Sequence, residues 1–189
     1  MNSDPIQDYI LEDENKMRTA AAVFNAWPEV RKKLVSDFLD RLKRALQQKR
    51  ELERWEFGSW GRPFTDSQAA FDFWKPTWKA EYSVSLRFDQ HGEEVFFGVA
   101  RDAAKERIKK CEPGPELLTA VKEHYTSAGA TRWWEAWVSV QSLPADWTKA
   151  EVLWRMRDGN DEFVDKVAEQ LVRVAQISER IVDRLAGAT

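Results

Sequence analysis

The sequence predicts an α+β domain in which an antiparallel sheet of three to four strands packs against long N- and C-terminal helices. Three stretches carry that prediction. From Glu81 to Phe88 the residues Tyr82, Val84, Leu86 and Phe88 alternate with Ser83, Ser85 and Arg87. After a turn at Asp89-Gln90-His91-Gly92 the chain returns with Val95, Phe97 and Val99 on one side and Phe96 and Gly98 on the other, the period of two that marks a hairpin. From Glu29 to about Arg54, Val30, Leu34, Phe38, Leu42 and Leu46 recur at helical spacing, with Val35, Leu39 and Ala45 beside them. Near the C-terminus Val164, Val167, Leu171, Val174, Ser178, Ile181 and Leu185 alternate spacings of three and four, the inward seam of a helix packed on its own domain. A dimer through that seam is the minority reading.

At 189 residues, 43% of them hydrophobic and with ten Trp and ten Phe, the chain supplies one good core. The expected division is an acidic, partly flexible lead-in over residues 1–26 and a single α+β domain over 27–189. Its 29 basic and 32 acidic side chains leave a formal charge of −3, which argues against a surface that tracks a phosphate backbone all round. A single cysteine, Cys111, forms no internal disulfide. No apolar stretch approaches a membrane span and the N-terminus lacks a signal-peptide pattern, so the expectation is a cytoplasmic protein with no membrane partner.

Taken in order, Thr19–Phe24 can start a helix, which Pro28 would interrupt or restart. The helix that follows carries Arg31, Lys32, Lys33, Arg41, Lys43, Arg44, Lys49 and Arg50 on its polar side, offset in part by Asp37 and Asp40. Such a face is either an ordinary solvated one or a basic ridge, and Lys33, Arg41 and Arg44 are its candidate binding residues. Trp55–Trp60 alternates like a short strand. Gly61, Pro63 and Pro76 break the chain around Phe64–Trp78, whose Phe71, Phe73, Trp74 and Trp78 either pack over the sheet as a lid or offer anchors to a partner. Arg101–Glu112 and Pro115–Ser127 read as helices, with Gly129 ending the second. Arg132–Val140 reads as a strand with Trp133, Glu135 and Trp137 on one face and Trp134, Ala136, Val138 and Val140 on the other. Asp146 or Thr148 can cap a short helix through Arg157, and the turn Asp158-Gly159-Asn160 supplies a cap at Asn160.

The inventory for chemistry is thin. Two histidines, His91 and His124, and one cysteine make no zinc pattern; no Gly-rich phosphate loop or Gly-x-Ser-x-Gly elbow is present. His91 falls in a predicted turn. The one acidic-x-Lys triplet, Glu14-Asn15-Lys16, has no strand hairpin before it to gather carboxylates around a cation. No catalytic residue, metal or cofactor is expected.

The order of elements from Trp27 to Ala186 resembles the C-terminal half of bacterial and phage proteins of the PD-(D/E)XK nuclease superfamily. The likeness rests on the helix Glu29–Arg54, the aromatic piece ending at Trp78, and the hairpin Tyr82-Ser-Val-Ser-Leu-Arg-Phe with Val95-Phe-Phe-Gly-Val. It extends to the Trp-rich strand Arg132–Val140 and to Asp158-Gly159-Asn160 before the final helix. In that family the catalytic Asp and Glu-x-Lys pair lie upstream of the matching region, so none is carried over. The resemblance implies an accessory domain that holds nucleic acid or a protein. It implies a phage or mobile-element setting, in which a stand-alone copy could inhibit or regulate a nucleic-acid-targeting host defence complex as anti-CRISPR proteins do. The alternative expectation is a nucleic-acid-binding accessory module of a nuclease system.

Overall fold

Strand alternation extends well beyond the hairpin. In the computed structural model, which describes residues 4–79, 81–139, 142–157, 159 and 161–187, six strands form one sheet. They are β1 (Glu56–Trp60), β2 (Gln68–Trp74), β3 (Tyr82–Asp89), β4 (Glu94–Arg101), β5 (Ala128–Thr131) and β6 (Trp134–Val138). Their order is β1-β2-β3-β4-β6-β5, and each neighbouring pair is antiparallel. The sheet exceeds the expected three to four strands because β2 opens with Gln68-Ala69-Ala70 and β5 is Ala-Gly-Ala-Thr. Small residues of that kind give no alternation to read. Gly129 therefore lies within a strand and does not end a helix.

The helices are α1 (Pro5–Leu11), α2 (Glu14–Gln47), α3 (Glu106–Lys109), α4 (Pro115–Lys122), α5 (Ala150–Met156) and α6 (Asp161–Leu185). The boundary expected at residue 27 falls inside α2, which runs through Pro28 without a break. Proline removes one amide donor, and here the carbonyl four residues back, at Phe24, lies in a fully exposed turn where water can replace it. The helix expected over Arg101–Glu112 shrinks to α3, since Arg101 still belongs to β4 and the Asp102 carboxylate accepts from the Ala104 amide at 3.0 Å to form a turn. Val140, Asp158 and Asn160 lie outside the described residues.

Helices α2, α4, α5 and α6 stack on one face of the sheet. There, rows Phe73–Val84–Val99–Ala136 and Phe71–Leu86–Phe97–Val138 cross four strands and meet Val35, Phe38, Leu42 and Leu46 of α2 with Val167, Leu171 and Val174 of α6. The α6 seam thus packs inward. Trp147 joins the layers: fully buried, its ring lies 5.5 Å from Phe38, 5.4 Å from Phe88 and 5.3 Å from Phe163. Its indole N–H donates to the Pro144 carbonyl at 2.9 Å, so burial leaves no unpaired donor.

One irregularity sets the sheet's second face. The β4–β6 register shifts between Val99, opposite Ala136, and Ala100, opposite Trp134, so that Glu135 is an extra residue. The bulge turns Glu135 to the helical side, where it is fully buried against Arg101 with Nε and Oε2 3.1 Å apart. Its other oxygen accepts from the Gly114 amide at 2.6 Å, while Arg101 donates to the Cys111 carbonyl at 2.6 Å. The pair ties the bulge to the connection between α3 and α4. Because removing one member of a buried pair leaves the other charge uncompensated, Glu135→Ala is expected to destabilise the fold by about 3–5 kcal/mol in chemical denaturation. The paired replacement Arg101→Met with Glu135→Leu should lose less than that single change.

Candidate functional site

The strand residues that point away from the helices form the site. On β2 these are Ala70, Asp72 and Trp74; on β3, Ser83, Ser85 and Arg87, paired as Asp72 with Ser85 and Ala70 with Arg87. Trp60 comes from the end of β1, opposite Ala70, and Trp134 reaches this side because of the bulge at Glu135. The expected division of the last strand, with Trp134 opposite Trp137, is corrected for the same reason: two inward residues in succession, Glu135 and Ala136, leave both tryptophans on the outer face.

These rings lie down on the sheet. Trp74 covers Gly58, where a Cβ would stand 2.9 Å from the indole, and its N–H donates to Glu56 at 2.9 Å. Trp137 covers Gly129 in the same way, a Cβ there meeting the ring at 2.7 Å, and Phe96 packs against Trp137 edge-on at 5.6 Å. Glycine at both positions is thus required by close approach of a side chain. The Arg87 guanidinium is held between two rings, 5.0 Å from Trp60 and 5.2 Å from Trp134.

Beneath them sits Asp72. The Ser83 hydroxyl donates to it at 3.3 Å, and Ser85, fully buried, stands directly opposite. Burial pushes the Asp72 carboxyl above the usual range, against the opposing pull of Ser85, Arg87, Ser83 and Trp60. A cavity of about 500 Å³ opens above it, bounded by Trp60, Trp74, Trp133, Asp102 and Ala103. At its rim Trp60 is 43% and Trp133 45% exposed.

The residues singled out from the sequence are dispersed. Phe71 and Phe73 lie on the helix-covered face and are core, as is Trp78, whose indole N–H donates to Asp183 of α6 at 2.8 Å. Burial corrects their assignment as partner anchors, and the lid reading is corrected too: Phe71 and Phe73 belong to β2, within the sheet and not over it. Trp74 alone of that set reaches the opposite face. On α2, Lys33 is exposed and pairs with Asp37 at 2.7 Å, while Arg44 is exposed and donates to the Asp40 carbonyl at 3.3 Å. Arg41 is instead a clamp, donating to the Met156 carbonyl, to that of Arg157 at 2.9 Å, and to Asp161 at 3.4 Å. These three cations occupy the helical layer, across the sheet from Asp72.

Glu14 pairs with Arg18 at 2.6 Å, and Lys16 with Glu12, so the triplet gathers no carboxylates. His91 is exposed and its Nδ1 lies 3.1 Å from the Thr65 carbonyl. Among the described residues no group of three or more His, Cys, Asp or Glu could hold a metal ion, and no helix is long and apolar enough to cross a membrane.

Asp72 gives the site a pH signature. A carboxyl whose pKa is raised on folding binds its proton more tightly in the folded chain, so its ionisation opposes folding above that raised pKa and the penalty fades as pH falls through it. Asp72→Asn is therefore expected to raise the melting temperature at neutral pH, with the gain over wild type shrinking as pH falls through the acidic range. Scanning calorimetry across pH reads both. Comparisons of the chain with protein-family models, with characterised proteins and with solved structures find no match.

Proposed function

We propose that this chain acts by binding a protein through the open face of its sheet, as a phage- or mobile-element-encoded inhibitor or regulator of a nucleic-acid-targeting host defence complex. The observation that carries the binding is the aromatic face itself, with Arg87 seated between Trp60 and Trp134 and a cavity of about 500 Å³ bounded by Trp60, Trp74 and Trp133. Trp and Arg dominate the energetic centres of protein interfaces because they bury large area with little rotamer entropy per contact. Rings already seated on glycine and on a guanidinium have little left to order on binding. The defence-complex target comes from the family resemblance and goes no further than that.

Charge favours a protein over nucleic acid. Arg87 and Arg132 on or beside this face are countered by Glu56, Asp72 and Asp102, and Glu81 at the cavity edge is paired with Arg107, whereas a phosphate backbone is held by a positive groove beneath stacking rings.

The test is a plasmid-interference assay in hosts carrying defined nucleic-acid-targeting defence complexes, with purified complexes used for binding. Expression of the chain should restore transformation against at least one complex and form a stoichiometric assembly with it. Trp60→Ala with Trp133→Ala, both at partly exposed positions, should weaken that assembly by about tenfold or more while the chain keeps its circular-dichroism spectrum. Full restoration by the double variant, or no binding to any complex, would overturn the proposal. Affinity for single-stranded DNA or RNA that falls steeply with salt would transfer the face to the accessory-module reading.

A further inference from the structure

The cavity above Asp72 is short of positive charge. Three carboxylates border it, and only Glu81 is matched by a cation, Arg107. Among the described residues neither Asp72 nor Asp102 forms an ion pair: Asp72 accepts from the Ser83 hydroxyl at 3.3 Å and Asp102 from the Ala104 amide at 3.0 Å. Two arginines stand on the cavity wall, and both are engaged elsewhere. Arg101 is turned to the helical side against Glu135. Arg87 attracts Asp72 through space, but its guanidinium is held between Trp60 and Trp134 and its buried Nε has no hydrogen-bond partner. An acid set this low without a countercharge costs stability, and proteins keep such groups where a ligand supplies the missing charge.

The walls narrow the class of ligand. A bare metal ion needs several hard donors together, and the described residues hold no group of three or more His, Cys, Asp or Glu able to take one. What surrounds the two carboxylates is aromatic: Trp60, Trp74 and Trp133. Indole faces attract an organic cation and also pack against an apolar stem. Rings of this lining already hold guanidinium groups, with Arg87 5.0 Å from Trp60 and Arg132 4.6 Å from Trp133.

We propose that the cavity receives a basic side chain, lysine or arginine, of the protein bound at this face, with its charged head at Asp72 and Asp102 and its methylene stem along the three tryptophans. This rests on the reading that the face binds a protein, and adds what that protein presents to it. An acidic side chain or a phosphate meets the same two carboxylates and is repelled.

The test uses the full chain and three small probes, Nα-acetyl-lysine amide, Nα-acetyl-arginine amide and the neutral Nα-acetyl-norleucine amide, with nuclear magnetic resonance following the indole N–H signals. At least one basic amide should shift the signals of Trp60, Trp74 and Trp133 saturably, and the neutral one should not. Asp72→Asn, expected to fold at least as stably as wild type at neutral pH, should raise the dissociation constant of the basic amide by about tenfold or more. The same variant should weaken assembly with a defence complex. Equal shifts from the neutral amide, no saturable shift from either basic amide up to about 100 mM, or unchanged affinity in Asp72→Asn overturns the proposal. Assembly that is equally tight in wild type and Asp72→Asn overturns it too and leaves the proposed function in place. Uptake of the basic amides by a chain that assembles with no complex supports the cavity's preference for cations and overturns that function instead.

Discussion

The structure follows from one constraint: a six-stranded sheet with apolar and aromatic residues on both faces has helices for only one of them. The helical layer takes the face whose side chains are Val, Leu and Phe, where ridges of α2 and α6 can interdigitate with them. The other face is closed by its own side chains lying flat. Tryptophan suits this task because one indole spans two strands, provided the residue beneath has no Cβ, and Gly58 and Gly129 meet that condition. What results is a surface that is dense and aromatic but still open to a partner.

The bulge at Glu135 is the hinge of that arrangement. Without it, Trp134 would point into the helices and Glu135 out to solvent. With it, Glu135 is carried inside and must bring its own countercharge, which Arg101 supplies while the α3–α4 connection donates its Gly114 amide to Glu135 and accepts from Arg101 at the Cys111 carbonyl. The same displacement delivers Trp134 to the stack around Arg87. A structural ion pair on one side of the sheet and an aromatic clamp on the other are therefore consequences of a single inserted residue.

This explains what was legible in the sequence and what was not. The β3–β4 hairpin and α6 declare themselves because large apolar residues fall at every second position in one and every third or fourth in the other. The β5 strand does not, since alanine and glycine carry no face, and β2 opens on Gln68-Ala69-Ala70, which leaves only Phe71-Asp72-Phe73-Trp74 to alternate. The Phe71–Trp78 segment misled for a subtler reason. Its bulk lies at Phe71 and Phe73, so attention goes to the side that packs, while Asp72 between them marks the side that stays open. Arg87, between Leu86 and Phe88, is the same signal one strand over. A charged residue inside a strand of strong apolar neighbours, with tryptophans within reach, was the available clue. No period-two reading foresees a bulge, so the Trp134 and Arg87 contact lay beyond the sequence.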